Sequence, residues 1–281
     1  MSDVTSSAPL IGSNREQELL SHADYNIYAQ TGQEKCGAYS FRPEKRSDTP
    51  VPAIIYFHGG LFDKRLSGHF APHCLHFANR GIMAFSVDYR VGSNNTNSVM
   101  DAMQDARNFM QYLVQNQQTF NIDLSRLVVG GIASGGLLAL HLASRHKNNL
   151  QYVENLPTPK GVIAYAPISN TTPKGLCSDL FPDAKTAKTS SPSEQLSPKS
   201  PSLLLFHGKE DSVIPFEHSE KLAKGWKRKK NQVEFIDFES AKHSDFNLNV
   251  NPQFYDLTLR SSDIFLTELG LLSPASNAFL D

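Results

Sequence analysis

The feature that most constrains the fold is the stretch from residue 128 to residue 140, which reads VVGGIASGGLLAL. Its apolar residues predict a buried strand and a helix that follows without a spacer, with a glycine-rich corner between them. A corner this tight leaves one side chain projecting, and it needs small residues two places before and two places after so that neighbouring backbone can approach. Gly131 and Gly135 flank Ala133 in this way. We therefore predict that Ala133 projects from the corner.

Apolar runs alternate with helical patterns along the rest of the chain. Near-continuous apolar runs, typical of strands that helices cover on both faces, occur at residues 52–57, 82–87, 126–130, 161–166, 202–207 and 233–238. Helical patterns occur at residues 15–21, 69–80, 97–118, 216–230 and 253–271. Two segments of period two, at 25–29 and 37–41, predict an antiparallel hairpin at a sheet edge. The alternation predicts an α/β fold with a mainly parallel, doubly wound sheet of about eight strands and helices on both faces.

Length and composition favour one domain. The 281 residues are 40% hydrophobic, and single domains of this class often reach about 250 residues. We predict a surface segment over residues 1–24 and a single domain over residues 25–281. Within it, residues 167–201 are rich in proline, serine and threonine and cannot hold a long helix. Because this segment leaves the carboxyl end of a strand, where open α/β sheets bind ligands, we predict that it forms one wall of the substrate site.

Charge and cysteine content narrow the class of partner. A formal net charge of −1 and a pI near 6.8 give no electrostatic attraction to nucleic acid or to an anionic membrane. Three irregularly spaced cysteines, Cys36, Cys74 and Cys177, make neither a disulfide framework nor a zinc knuckle, which favours a reducing compartment. The N-terminus has no signal-peptide pattern, and no apolar run approaches ~18 residues. We therefore predict a soluble, cytoplasmic protein.

The glycine-rich corner resembles the nucleophile elbow, G-x-S-x-G, of the α/β-hydrolase fold. It is close to the G-G-x-S-A-G-G version found in esterases related to hormone-sensitive lipase, but Ala133 stands at the nucleophile position. Either the natural protein has lost its serine, or a serine was replaced to trap a bound ester, and we favour replacement. Ser134 is the alternative nucleophile. A shift of one residue, however, would put Ile132 where the pattern needs a small residue and would rotate the serine off the apex.

Three further motifs carry the same resemblance in the order that the fold requires. His58-Gly59-Gly60-Leu61 resembles the H-G-G-G oxyanion loop, with leucine in the place of the last glycine. The resemblance implies an oxyanion hole built from Gly59, Gly60, Leu61 and Ser134, with the N–H groups of Gly60, Leu61 and Ser134 as donors. Because backbone N–H groups act there, the leucine need not disable the hole, although it narrows the acyl side.

The downstream motifs supply an acid and a base. The stretch HGKEDSVIP at residues 207–215 resembles the motif that carries the family's acid, which implies that role for Asp211; a turn aspartate is the alternative. His243, in the loop after the last predicted strand, matches the family's base, with a surface histidine as the alternative.

Asp88-Tyr89-Arg90 and Asp105 match family positions that we interpret as framework. His69, His73 and His76 share one helical face, but no cysteine or carboxylate completes a metal site, so we expect neither a metal nor a cofactor.

The resemblance implies a carboxylic-ester hydrolase that works through a Ser-Asp-His triad and an acyl-enzyme on short or medium acyl esters, present here as an inactive Ser-to-Ala form. A serine-less lyase or cyclase and a non-catalytic ligand-binding protein are the alternatives. The implied partner is a small-molecule ester, whereas a homodimer remains open. We expect the ester to contact Leu61 together with four apolar residues of the oxyanion loop and the long segment: Phe62, Leu176, Leu180 and Phe181.

Overall fold

An eight-stranded sheet forms the centre of the protein. The computed structural model describes residues 10–32, 34–45, 47–92, 99–144 and 156–274. The strands are β1 Asp24–Thr31, β2 Glu34–Phe41, β3 Val51–Phe57, β4 Met83–Val87, β5 Ile122–Ile132, β6 Gly161–Tyr165, β7 Ser202–Gly208 and β8 Val233–Phe238. Their order is β1-β2-β4-β3-β5-β6-β7-β8. The hairpin β1–β2 joins β4 antiparallel at one end, and β3 to β8 are parallel.

Seven α-helices accompany the sheet within the described residues. They are α1 Leu10–Leu20, α2 Ala71–Asn79, α3 Val99–Phe120, α4 Ser134–Ala143, α5 Ala184–Thr189, α6 Glu217–Arg228 and α7 Pro252–Glu268. The ring of Tyr56 in β3 meets His73 of α2 at 5.6 Å, and His73 meets Tyr255 of α7 at 4.7 Å, so α2 and α7 cover one face of the sheet. Phe85 of β4 meets Phe109 of α3 at 5.4 Å on the opposite face. The predicted α/β class is confirmed.

The predicted element boundaries differ from the structure where a local signal was overlooked. The helix predicted from residue 69 begins at residue 71, since Pro72 suits only the first turn of a helix. The strand predicted from residue 126 already begins at Ile122, which pairs with Val51. The predicted helix 97–118 begins at residue 99; its first two residues, and residues 1–9 of the predicted surface segment, lie outside the described residues. None of the described helices is long and apolar enough to cross a membrane.

The corner between β5 and α4 is tight because glycine lets two backbones touch. Ala133 has φ 51° and ψ −112°, a conformation that a non-glycine residue holds at a cost of about 1–3 kcal/mol. A Cβ atom on Gly135 would collide with the carbonyl oxygens of Phe57 and His58, and one on Gly131 would collide with the main chain of Gly135. The corner is therefore pressed against the end of β3, which maintains the strained backbone of Ala133.

We expect Gly135→Ala to lower the free energy of unfolding by about 3 kcal/mol, because the added methyl group overlaps main-chain oxygens that cannot move independently. Gly81→Ala is the control: Gly81 has φ +88° and open space around its Cβ position, so only backbone strain of about 1 kcal/mol applies. Chemical denaturation compares the two variants. Equal losses would show that the corner has room for a side chain.

Candidate active site

His243 and Asp211 meet at the carboxyl edge of the sheet. Asp211 follows β7, and His243 begins a 3₁₀ turn, His243–Phe246, after β8. The His243 Nδ1 atom lies 2.7 Å from Asp211 Oδ2, the side chain of Asp211 is 0% exposed, and that of His243 is 21% exposed. Since the carboxylate can only accept, Nδ1 carries the proton and donates it. The Nε2 atom of a neutral His243 is then free to accept a proton from another group.

The carboxylate of Asp211 is surrounded by donors. Its Oδ1 accepts from the backbone N–H groups of Val213 and Ile214, both at 2.8 Å, and its Oδ2 lies 3.3 Å from His207 Nε2. Burial alone would raise the pKa of Asp211. The hydrogen bonds from His207 and His243 outweigh burial and hold that pKa well below its usual range. Asp211 is therefore ionised at neutral pH and favours a fixed orientation of His243.

The loop after β3 lies against the corner that carries Ala133. A Cβ atom on Gly59 would stand 3.9 Å from the Ala133 Cβ. Gly60 has φ +105°, Leu61 has φ 51°, and the carbonyl of Gly60 accepts from the N–H groups of residues 63 and 64, which closes the loop into a turn. The N–H groups of Gly60, Leu61 and Ser134 have no hydrogen-bond acceptor among the described residues. They can therefore donate to the oxygen of a ligand.

Ser134 faces away from any ligand beside Ala133. It is 0% exposed, and its Oγ atom lies 3.1 Å from the Tyr89 hydroxyl oxygen. The Tyr89 hydroxyl donates to the carbonyl of His58 at 2.9 Å, so the Ser134 hydroxyl donates to Tyr89. This geometry argues against Ser134 as the nucleophile. It also gives Tyr89 a role that the sequence did not reveal, because its hydroxyl joins the oxyanion loop to the corner.

His58 supports the loop from beneath. Its ring stacks on Tyr89 with centroids 4.3 Å apart, and its Nδ1 donates to the carbonyl of Gly59 at 2.6 Å. Burial lowers the pKa of His58 to about 3, so the ring is neutral at physiological pH. A neutral ring held in this way fixes the loop without adding charge to the site.

The three histidines of the predicted helical face go to different places. His69 precedes α2, and burial lowers its pKa to about 4, with a further contribution from nearby His243. His73 is enclosed by aromatic rings, and His76 Nε2 lies 3.0 Å from Asp263 Oδ1. Within the described residues, no three side chains of His, Cys, Asp or Glu form a metal-binding group. His69 is thus a neighbour of the site that its helical spacing gave no means of finding.

The residues predicted to contact substrate divide into two groups. Leu61 is 40% exposed and Leu180 37% exposed, whereas Leu176 is half-buried. Phe62 is only 4% exposed and Phe181 only 6% exposed. The Phe62 ring meets the Tyr89 ring at 6.2 Å. Phe62 and Phe181 are therefore nearly buried, and their contact with a ligand stays a prediction.

The segment from residue 167 to residue 201 starts directly on the corner. The N–H of Ile168 donates to the carbonyl of Ala133 at 3.1 Å. Further along, Thr171 Oγ1 donates to the carbonyl of Ala187 at 2.6 Å, and Ser191 Oγ donates to the carbonyl of Ser169 at 3.2 Å. Its helical elements are short, namely α5 and two 3₁₀ turns, Ser178–Leu180 and Pro192–Glu194. The segment thus forms hydrogen bonds within itself, and its first residues contact Ala133.

Sheet order, glycine-rich corner and connections together are those of the α/β-hydrolase fold. Residues 41–174 match the protein-family model described as BD-FAE, a range that includes the oxyanion loop and the corner and ends before Asp211. The thermophilic esterase Est2 of Thermogutta terrifontis has a similar structure, with a TM-score of 0.83 and 26% identity over 92% of this chain and 96% of that chain. Est2 has also been solved with propionate and with butyrate bound.

Sequence relatives point in the same direction. Esterase YjfP of Escherichia coli K12 is 28% identical over 210 residues, which are 64% of this chain and 76% of the relative. Endo-1,4-beta-xylanase B of Butyrivibrio fibrisolvens is 26% identical over 223 residues, which are 73% of this chain but only 35% of the xylanase. The chain thus spans about a third of that relative. The chain has the α/β-hydrolase fold and is similar to esterases.

We expect Tyr89→Phe to lower the free energy of unfolding by about 2 kcal/mol, because the buried His58 carbonyl and the Ser134 hydroxyl each lose a partner. Tyr112→Phe is the matched control, since the Tyr112 hydroxyl makes no hydrogen bond to the described residues; its expected change is within about 0.5 kcal/mol. Chemical denaturation measures both. Similar values for the two variants would mean that Tyr89 does not join the loop to the corner.

Proposed function

We propose that this chain carries the site of a carboxylic-ester hydrolase in which Ala133 occupies the nucleophile position, and that the chain as given forms no acyl-enzyme. The observation that carries the proposal is the pairing of His243 with the buried carboxylate of Asp211, at the same edge of the sheet as the strained elbow. Both the buried carboxylate and the strained backbone cost free energy. Both are features of sites in which a base activates a nucleophile.

The chemistry follows once serine stands at position 133. Its Oγ attacks the ester carbonyl carbon while His243 Nε2 takes the hydroxyl proton, and Asp211 stabilises the resulting imidazolium. The carbonyl oxygen becomes negative and accepts hydrogen bonds from the N–H groups of the oxyanion loop and of Ser134, each worth about 3 kcal/mol of the barrier. The alcohol leaves with the proton from His243, and water then releases the acid by the same steps. Alanine has no oxygen to form the first bond.

Short acyl groups suit this site best. The exposed side chain of Leu61 stands in the oxyanion loop, where the related motif has glycine, and it narrows the space beside Ala133. The binding of propionate and butyrate by Est2 supports the same chain length. The substrate class that we propose is therefore esters of short-chain carboxylic acids.

A second candidate is proton transfer without a covalent intermediate, as in a lyase or cyclase. It is favoured by the free Nε2 atom of His243 and by the unpaired N–H groups, which together can move a proton and stabilise an oxyanion although Ala133 offers no nucleophile. A ligand-binding protein needs no oriented base, so the Asp211–His243 pair argues against that alternative. A serine codon at position 133 of the natural gene would decide for hydrolysis, and an alanine codon for proton transfer.

We expect Ala133→Ser to create hydrolysis of p-nitrophenyl acetate, since base, acid and donors are already present. Loss of a triad typically lowers turnover on the order of 10⁶-fold. We therefore expect the turnover of Ala133→Ser to exceed that of the parent chain by a large factor. The double variant Ala133→Ser with His243→Ala is the control and should return to background. A folded Ala133→Ser protein no faster than the parent chain would refute the hydrolase proposal.

We expect Leu180→Ala, in the Ala133→Ser protein, to shift the preference between acetate and hexanoate esters, because Leu180 is an exposed apolar side chain of the segment that we propose as a wall of the site. The control is Phe181→Ala, which should instead lower the free energy of unfolding by about 3–5 kcal/mol, as expected for a buried ring. Ester kinetics and chemical denaturation are measured on both. A preference unchanged by Leu180→Ala, with a large loss of stability, would place Leu180 in the core.

A further inference from the structure

The buried histidine at the end of β7, His207, is the unexplained polar group nearest to the proposed site. Its ring is 0% exposed, and its Nε2 atom lies 3.0 Å from the carbonyl oxygen of Ile214 and 3.3 Å from Asp211 Oδ2. Its Nδ1 atom lies 2.6 Å from the Oγ atom of Ser219, which is also buried. These contacts involve every polar atom of the ring.

The contacts fix the tautomer of His207. The carbonyl of Ile214 can only accept, so Nε2 carries the hydrogen. Nδ1 is hydrogen-bonded to the Ser219 hydroxyl. The Nε2–H group donates to Ile214 O and lies beside Asp211 Oδ2, and the ring of Phe216, 5.5 Å away edge to face, restricts the rotation of the His207 ring. A donor aimed in this way cannot turn from the carboxylate without breaking both of its other contacts.

The same oxygen, Oδ2 of Asp211, accepts from His243 Nδ1 at 2.7 Å and lies 3.3 Å from His207 Nε2. Together with the two backbone donors on Oδ1, these contacts leave Asp211 little freedom to rotate. The direction of Oδ2 determines where the His243 ring points, because the 2.7 Å bond to Nδ1 is strongly directional. Burial also makes any lost donor to a carboxylate costly.

We propose that His207 is a positioning residue for the base of this site: its ring, held between Ser219 and the carbonyl of Ile214, keeps the Asp211 carboxylate in the rotamer that directs Nε2 of His243 toward residue 133. His207 touches no substrate and acts only through Asp211. The predicted effect on kcat rests on the proposed function. The predicted effect on the hydrogen bond between His243 and Asp211 can be measured in the chain with Ala133.

The first measurement uses the chain as it is. The proton between His243 Nδ1 and Asp211 should give a low-field ¹H resonance, identified by its loss in His243→Gln. We expect His207→Phe to shift this resonance or broaden it beyond detection, because Oδ2 loses a donor and its orientation. His207→Gln should preserve it, since a glutamine Nε2–H can occupy the place of the imidazole Nε2–H. His73→Phe controls for the replacement of another buried imidazole at a distance from Asp211.

The second measurement uses the Ala133→Ser protein. We expect His207→Phe to lower kcat about 10-fold, the consequence of losing one charge-assisted hydrogen bond of modest strength, with KM changed by less than about 2-fold. His207→Gln should recover most of the rate, and Ser219→Ala should give an intermediate loss because the His207 ring loses the hydrogen bond at Nδ1 that restricts its rotation. His73→Phe should leave kcat near the parent value even where it lowers the melting temperature.

The outcomes separate the two proposals. An inactive Ala133→Ser protein refutes the hydrolase function, while the resonance still tests His207. An unchanged resonance in a folded His207→Phe protein overturns the positioning role whatever the kinetics show. Should His207→Phe fail to fold, Ser219→Ala and His207→Gln decide: a resonance lost in His207→Gln, or unmoved in Ser219→Ala, contradicts the proposal.

Discussion

The close approach of the elbow to the end of β3 is the contact on which the rest of the site depends. Carbonyl oxygens of β3 and of the residue after it occupy the space that any side chain on Gly135 would need. Phe57 and Gly131 are paired in adjacent parallel strands, so the oxyanion loop and the corner leave the sheet side by side. Tyr89 then bonds to both. Backbone packing, rather than the side chain at position 133, thus sets the geometry of this half of the site.

In the other half, polar contacts orient the side chains. Asp211 and His243 lie beyond β7 and β8, and β6 separates them from the corner. Three hydrogen-bond donors and the nearby His207 imidazole orient the carboxylate, and the carboxylate orients the imidazole of His243. Because such bonds depend on charge, this half responds to substitutions that keep shape but remove an N–H group. The first half responds to substitutions that add a single methyl group.

The sequence predicts what repeats locally and misses what depends on distant partners. Apolar runs located the parallel strands because a buried strand must be apolar, and the glycine spacing located the corner because only glycine fits there. The pairing of Tyr89 with Ser134 could not be predicted, since residues 45 positions apart meet only in the folded chain. The burial of Phe62 and Phe181 was not predicted, because a loop motif does not show which way an aromatic ring turns. The roles of Asp211 and His243 remain predictions from motif resemblance, to which the 2.7 Å contact adds geometry.

The strained backbone of Ala133 has a consequence for how such proteins diverge. Its φ of 51° is imposed by the surrounding main chain and does not depend on the side chain that Ala133 carries. Serine and alanine are close in size, and their codons can differ by a single base. If the proposed function holds, a single base change at this position adds or removes the nucleophile while the backbone of the corner stays the same.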